Sequence, residues 1–114
     1  MAFTELERAR IDKAVGGLCR RRTPPKAKID VSMEYKITGH DVTLFERRPC
    51  WDCTPGYTEE GVAKLKFTRS TGKWRLLWQR ADLKWHAYEP RSSRGDLSQL
   101  VAEIGKDPFG CFFG

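Results

Sequence analysis

The sequence predicts an α+β domain, a five-stranded antiparallel sheet covered on one face by an N-terminal and a C-terminal helix (α-β-β-β-β-β-α). Three observations carry this. Apolar and polar residues alternate at strict period two between residues 29 and 38. Stripes at helical spacing occur near the two ends of the chain. Most of the remaining connections are short polar turns, which suit hairpins and cannot hold crossover helices. At 114 residues the chain is expected to form a single domain, 1–114.

Each element has its own signal. Thr4 followed by Glu7 is a capping box, and Ile11, Ala14, Val15 and Leu18 then form one apolar stripe flanked by Phe3 and Leu6. Thr23-Pro24-Pro25 stops this helix near residues 19–22. Ile29, Val31, Met33, Tyr35 and Ile37 form the buried face of the first strand, and Gly39-His40-Asp41 turns the chain. Val42 and Leu44 continue that face, while Thr43, Phe45 and Arg47 look away. A cysteine-containing loop is expected from 49 to 61, then a third strand over 62–69 with Ala63, Leu65 and Phe67 inward. The fourth strand buries Trp74, Leu76 and Trp78. A turn over 81–84 leads to a short fifth strand, with Trp85 expected in the core and His86 and Tyr88 on the outer face. Asp96 caps a second helix whose stripe is Leu97, Leu100, Val101 and Ile104, with Gly105 closing it.

The spacing Cys50-Trp51-Asp52-Cys53 raises zinc and redox chemistry. A four-thiolate zinc site wants two close pairs, whereas Cys19 and Cys111 stand alone. A thioredoxin-like pair opens a helix after a strand, whereas Thr54-Pro55-Gly56 reads as a turn. The expectation is a solvent-facing loop with two ordinary thiols, no metal and no cofactor. The chain has no basic segment followed by an apolar run at its start and no stretch near 20 apolar residues, so a cytoplasmic protein without a membrane span is expected.

Catalytic constellations are missing. His40 lies in a turn and His86 on a short strand, and neither belongs to a recognisable nucleophile–base motif. There is no phosphate-binding glycine loop and no His-Glu-x-x-His. The sequence therefore leans away from an enzyme, and no catalytic residue is assigned.

Charge is more informative. The net charge is +6, and the basic residues cluster. Residues 20–28 carry Arg20, Arg21, Arg22, Lys26 and Lys28 with no acid, and residues 64–94 carry nine basic and two acidic side chains. The outer face of the later strands is expected to present Lys64, Lys66, Arg75, His86 and Tyr88. Arg80 would join them if its strand ends early, and Arg20-Arg21-Arg22 if the first helix ends near that edge. Cations neutralise phosphates and rings stack on bases, so this face reads as a nucleic-acid-binding surface without sequence preference. A solvated sheet face also carries lysine as a matter of course. The alternative reading is a protein–protein adaptor or homo-oligomer. It would use Trp51, which has no period-two partners in its loop, with Phe112 and Phe113, which either pack back on the domain or dock elsewhere.

The segments "TELERARIDKAV", "VTLFERRP", "YTEEGVAKLKF", "TGKWRLLWQRADLKWHAYEP" and "DPFGCFFG" resemble a bacterial family of small proteins, the domain of unknown function 3024. The resemblance covers nearly the whole chain and preserves the order of the segments. It implies no activity that can be assigned to particular residues. In that family the loop after "ERRP" is variable and usually lacks paired cysteines, so Cys-Trp-Asp-Cys departs from the pattern.

Overall fold

A computed structural model describes residues 3–22, 32–52, 56–88, 97–107 and 110–112. The expected strand positions Ile29 and Val31, the cap Asp96, and Cys53, Phe109 and Phe113 lie outside the described residues. The elements are α1 (Glu5–Ile11), a π-helical turn (Asp12–Gly16), α2 (Gly17–Arg22), β1 (Ser32–Thr38), β2 (Asp41–Pro49), β3 (Tyr57–Thr68), β4 (Lys73–Gln79), β5 (Trp85–Ala87) and α3 (Leu97–Lys106). The strands pair antiparallel in the order β1-β2-β3-β4-β5. The α+β arrangement expected from the sequence is the one observed.

The N-terminal helix begins as its capping box dictates. Thr4 Oγ1 accepts the Glu7 amide, and Glu7 Oε1 accepts the Thr4 amide at 2.8 Å. The same carboxylate takes both guanidinium nitrogens of Arg69, at 3.0 and 3.3 Å, which ties α1 to the end of β3. Arg69 first, then the Thr4 amide, hold the Glu7 carboxyl down to about 2. A carboxyl held below its unfolded value of 4.5 contributes stability in full above that pH and loses it as pH falls toward 2. Glu7→Gln is therefore expected to lower the melting temperature at pH 7, with the gap to wild type closing between pH 4.5 and 2. Thermal melts of both proteins across that range check this, and a constant gap would refute it.

Ile11, Val15 and Leu18 are buried as the stripe requires, and Phe3 joins them, but Leu6 is 64% exposed. Between α1 and α2 the helix widens. At Gly16 a Cβ would stand 2.7 Å from Asp12 Oδ1, so the glycine makes room for the Asp12 side chain. Asp12 Oδ1 accepts the Tyr35 hydroxyl at 2.8 Å and joins the π-helical turn to β1. Burial first, then Asp12, pushes the Tyr35 hydroxyl up to about 12.

Gly39 has φ +61 and makes the β1–β2 hairpin with His40 as a two-residue loop; the positive φ at its first position alone is the type II′ pattern. His40 packs against Phe3 with the rings tilted and their centroids 5.3 Å apart, in an aromatic group with Phe67 and Trp74 that closes one end of the core.

Three boundaries differ from expectation. First, β3 starts at Tyr57, so the cysteine loop is shorter than 49–61. Tyr57–Gly61 shows no apolar alternation because its pairing with Phe45–Pro49 is held by the backbone ladder. A bulge then lets Leu44 face Ala63 while Phe45 faces Gly61, so Val62 and Ala63 are both buried in succession.

Second, the β4–β5 connection runs over 80–84 instead of 81–84, with Leu83 in a left-handed conformation at φ 65 and the Leu83 amide donating to Arg80 O. Gln79 rather than Arg80 is thus opposite Trp85. A slip of one residue exchanges the two faces of a strand. Trp85 and Ala87 consequently lie on the outer face, while His86 and Tyr88 turn toward the helices. Tyr88 is 1% exposed and donates its hydroxyl to Glu103 Oε2 of α3 at 2.8 Å.

Third, Gly105 lies inside α3 and does not end it. Its Cβ position is 3.4 Å from Leu18, a close passage of the two helices, and its carbonyl accepts Arg22 at 2.8 Å. The left-handed residue after α3 is Asp107, at φ 46.

Candidate nucleic-acid interface

Strand alternation puts Lys64 and Lys66 of β3 and Lys73 and Arg75 of β4 on the outer face, turned away from the helices. Lys66 is directly opposite Arg75, a like-charge pair that a sheet ordinarily avoids. Among the described residues none of these four cations forms an ion pair. Asp41 is across from Lys66 on the other side, yet no ion pair joins them. The β1–β2 half of the same face behaves differently, because its cations are matched: Lys36 Nζ is 3.1 Å from Glu59, and Arg47 is 3.7 Å from Glu34.

Beside the unmatched cations lies an apolar strip. Leu77 is opposite Lys64 on one side and Ala87 on the other, and Trp85 follows. Lys64 Nζ sits 5.1 Å from the Trp85 ring centroid. Gly61 is the reason Trp85 can lie down on the sheet. A Cβ at Gly61 would come within 2.9 Å of the Trp85 ring and 2.8 Å of Gln79 Oε1. Phe45, Lys64, Gln79 and Trp85 thus border a shallow cavity of about 370 Å³ floored by Gly61.

The other residues proposed for this surface are elsewhere. Tyr88 is core. His86 pairs its Nε2 with Asp82 at 3.0 Å on the helix side, and the Asp82 carboxyl is held low by the Lys84 amide and then by His86. Arg80 lies over the Trp78 ring at 5.5 Å, also on the helix side. Arg20, Arg21 and Arg22 end α2, which packs beside β1, the strand farthest from β4 and β5. Arg20 pairs with Asp12 at 3.7 Å, and Arg22 holds the α3 carbonyl already described. The arginine run does not extend the basic face. Lys73 and Trp85 were not foreseen; Lys73 could have been found at period two from Arg75.

Of the aromatic partner candidates, Trp51 is fully exposed on the turn after β2, at 103%. Phe112 is not available, being 8% exposed with its ring 5.1 Å from Tyr88 and its amide donated to Asp107 Oδ1. Cys50 is disulfide-bonded, which corrects the expectation of two ordinary thiols in this loop. Cys19 and Cys111 are not disulfide-bonded, and burial pushes the Cys19 thiol up to about 11.

A family model for a domain of unknown function, DUF3024, matches residues 3–114. The chain belongs to the DUF3024 family. No curated protein and no solved structure matches it. Membership in DUF3024 brings no ligand or reaction to the surface just described, so its chemistry rests on the residues themselves. Among the described residues no group of three or more His, Cys, Asp or Glu could hold a metal ion, and no helix is long and apolar enough to cross a membrane.

Proposed function

We propose that this DUF3024 domain binds single-stranded nucleic acid, without strong sequence preference, across the outer face of β3, β4 and β5. The observation that carries the reading is the cluster Lys64, Lys66, Lys73 and Arg75, four cations on neighbouring strands with no ion pair among the described residues. Holding Lys66 opposite Arg75 costs stability in the free protein. A polyanion lying across the strands removes that repulsion and releases its own counterions. Trp85 supplies a ring beside the phosphate track for a base to stack on, and Leu77 and Ala87 give apolar contact. Nothing in the cluster resembles a paired donor–acceptor set for one base, so affinity is expected to vary little with sequence.

Fluorescence anisotropy of a labelled single-stranded oligonucleotide at several salt concentrations tests this. Four phosphate contacts predict a log–log salt slope near −3, from roughly 0.7 per contact. No binding tighter than about 100 μM at low salt would overturn the reading. A partner-docking role for Trp51, favoured by its full exposure beside a disulfide-bonded cysteine, would then take its place.

A further inference from the structure

On the helical side of the domain, α1, the π-helical turn, α2 and α3 leave a groove between them. Ala14, Leu97 and Val101 form its apolar floor, Ser98 and Ala102 its α3 rim, and Arg10, Lys13 and Arg21 its other rim. Leu97 and Val101 are one helical turn apart, and so are Ser98 and Ala102, so α3 offers two parallel rows with small side chains along the outer one. The cavity measures about 530 Å³.

Its electrostatics are one-sided. Among the described residues, every charged side chain lining the groove is a cation. Among the described residues, Arg10, Lys13 and Arg21 form no ion pair, whereas Arg20, one residue from Arg21, is matched by Asp12. From Arg10 to Arg21 the helical segment advances eleven residues, a rise of about 16 Å, or three turns of a docked helix. A flat polyanion would find cations along one rim and would have to cover an apolar floor. A lone aliphatic chain would cover the floor but leave two of the three charges unanswered.

We propose that this groove is a docking site for an acidic amphipathic helix of a partner protein. Its apolar stripe, repeating at i, i+3, i+4 and i+7, lies on Ala14, Leu97 and Val101, and its flanking carboxylates meet Arg10, Lys13 and Arg21. The site is on the opposite side of the sheet from the outer basic face, and it stands whether or not that face binds nucleic acid. Helix-in-groove docking supplies area from the apolar stripe, and the charges set orientation and association rate.

The test uses the full chain and a labelled 16-residue helical peptide carrying a leucine stripe flanked by glutamates. Two controls have the same composition without the stripe, and lysine in place of glutamate. The acidic amphipathic peptide is expected to bind with a Kd below about 100 μM, at least tenfold more tightly than either control. Amide chemical-shift changes should centre on Ala14, Leu97, Ser98 and Ala102. Lys13→Glu with Arg21→Glu, both exposed positions, should weaken binding at least tenfold with an unchanged circular dichroism spectrum. Three results would overturn the proposal: no binding at 500 μM, equal binding of the stripeless peptide, or shifts centred elsewhere. An oligonucleotide that displaces the peptide from these residues would identify the groove as a polyanion site and would also overturn it.

Discussion

Phe112→Ala is expected to destabilise the domain by about 3 kcal/mol, the low end for removing a buried phenylalanine ring. The ring is 8% exposed and packs on Tyr88, which is itself 1% exposed and tied to α3 through Glu103. Losing it opens a void against Tyr88 at the point where the sheet, α3 and the end of the chain meet. For a domain of this size the melting temperature should fall by roughly 10–15 °C. Deleting residues 109–114 should do at least as much, since the Phe112 amide that bonds Asp107 goes with it. Denaturant titration with unchanged m-value would confirm a loss of stability and not of fold. A melting temperature within a degree or two of wild type would show that Phe112 is not part of the core.

The other large effect is on ligand binding. Lys66→Glu together with Arg75→Glu should abolish oligonucleotide binding at moderate salt, on the order of a 100-fold loss, because two phosphate contacts become two repulsions. The salt slope should fall by about 1.4. Both side chains are exposed, and the exchange replaces one like-charge pair by another, so stability should change by no more than about 0.5 kcal/mol. Trp85→Ala gives a different signature. It should weaken binding by about 1–3 kcal/mol while leaving the salt slope unchanged, as stacking does not depend on counterion release. Equal affinity of the charge-reversed and wild-type proteins would remove the outer face from consideration.

How far the sequence could be read depended on how much periodicity each segment contained. Met33, Val42, Leu44, Leu65, Trp74 and Leu76 announced their face by alternation, and all are buried. The same alternation placed Lys64, Lys66 and Arg75 correctly on the outer face. The first part of β3 was not legible, because Thr58, Glu59 and Glu60 are polar on both faces and the bulge beside Val62 breaks the period. In β5, three residues are too few to fix a phase. The phase came from where β4 stops, and ending it at Gln79 instead of Arg80 put Trp85 on the outer face and Tyr88 in the core. Arg20, Arg21 and Arg22 failed for another reason: a charge count along the chain contains no information about which side of a sheet a helix occupies. Phe112 was correctly read as too apolar for a free tail, but only its contact with Tyr88 decides between packing inward and docking outward.

The order β1-β2-β3-β4-β5 means that every strand pairs with its neighbour in the chain. Such a meander can zip up one hairpin after another, each new strand adding to an edge already formed, with only short loops to close. Relative contact order is kept low, and folding on the millisecond scale follows from that topology. The nonlocal steps are those that dock the helices: the Glu7–Arg69 and Tyr35–Asp12 bonds at the N-terminal end, and the Arg22–Gly105 and Tyr88–Glu103 bonds made with α3. Before the helices dock, the apolar face of β4 and Tyr88 stand open to water, and a partly made protein is a sheet with one side wet. Residues of both chain ends, Phe3, Ile11, Val15 and Leu18 from one and Leu100, Val101 and Ile104 from the other, complete the core, so the aggregation-exposed stage of folding is expected to be the bare sheet before both ends have packed on it.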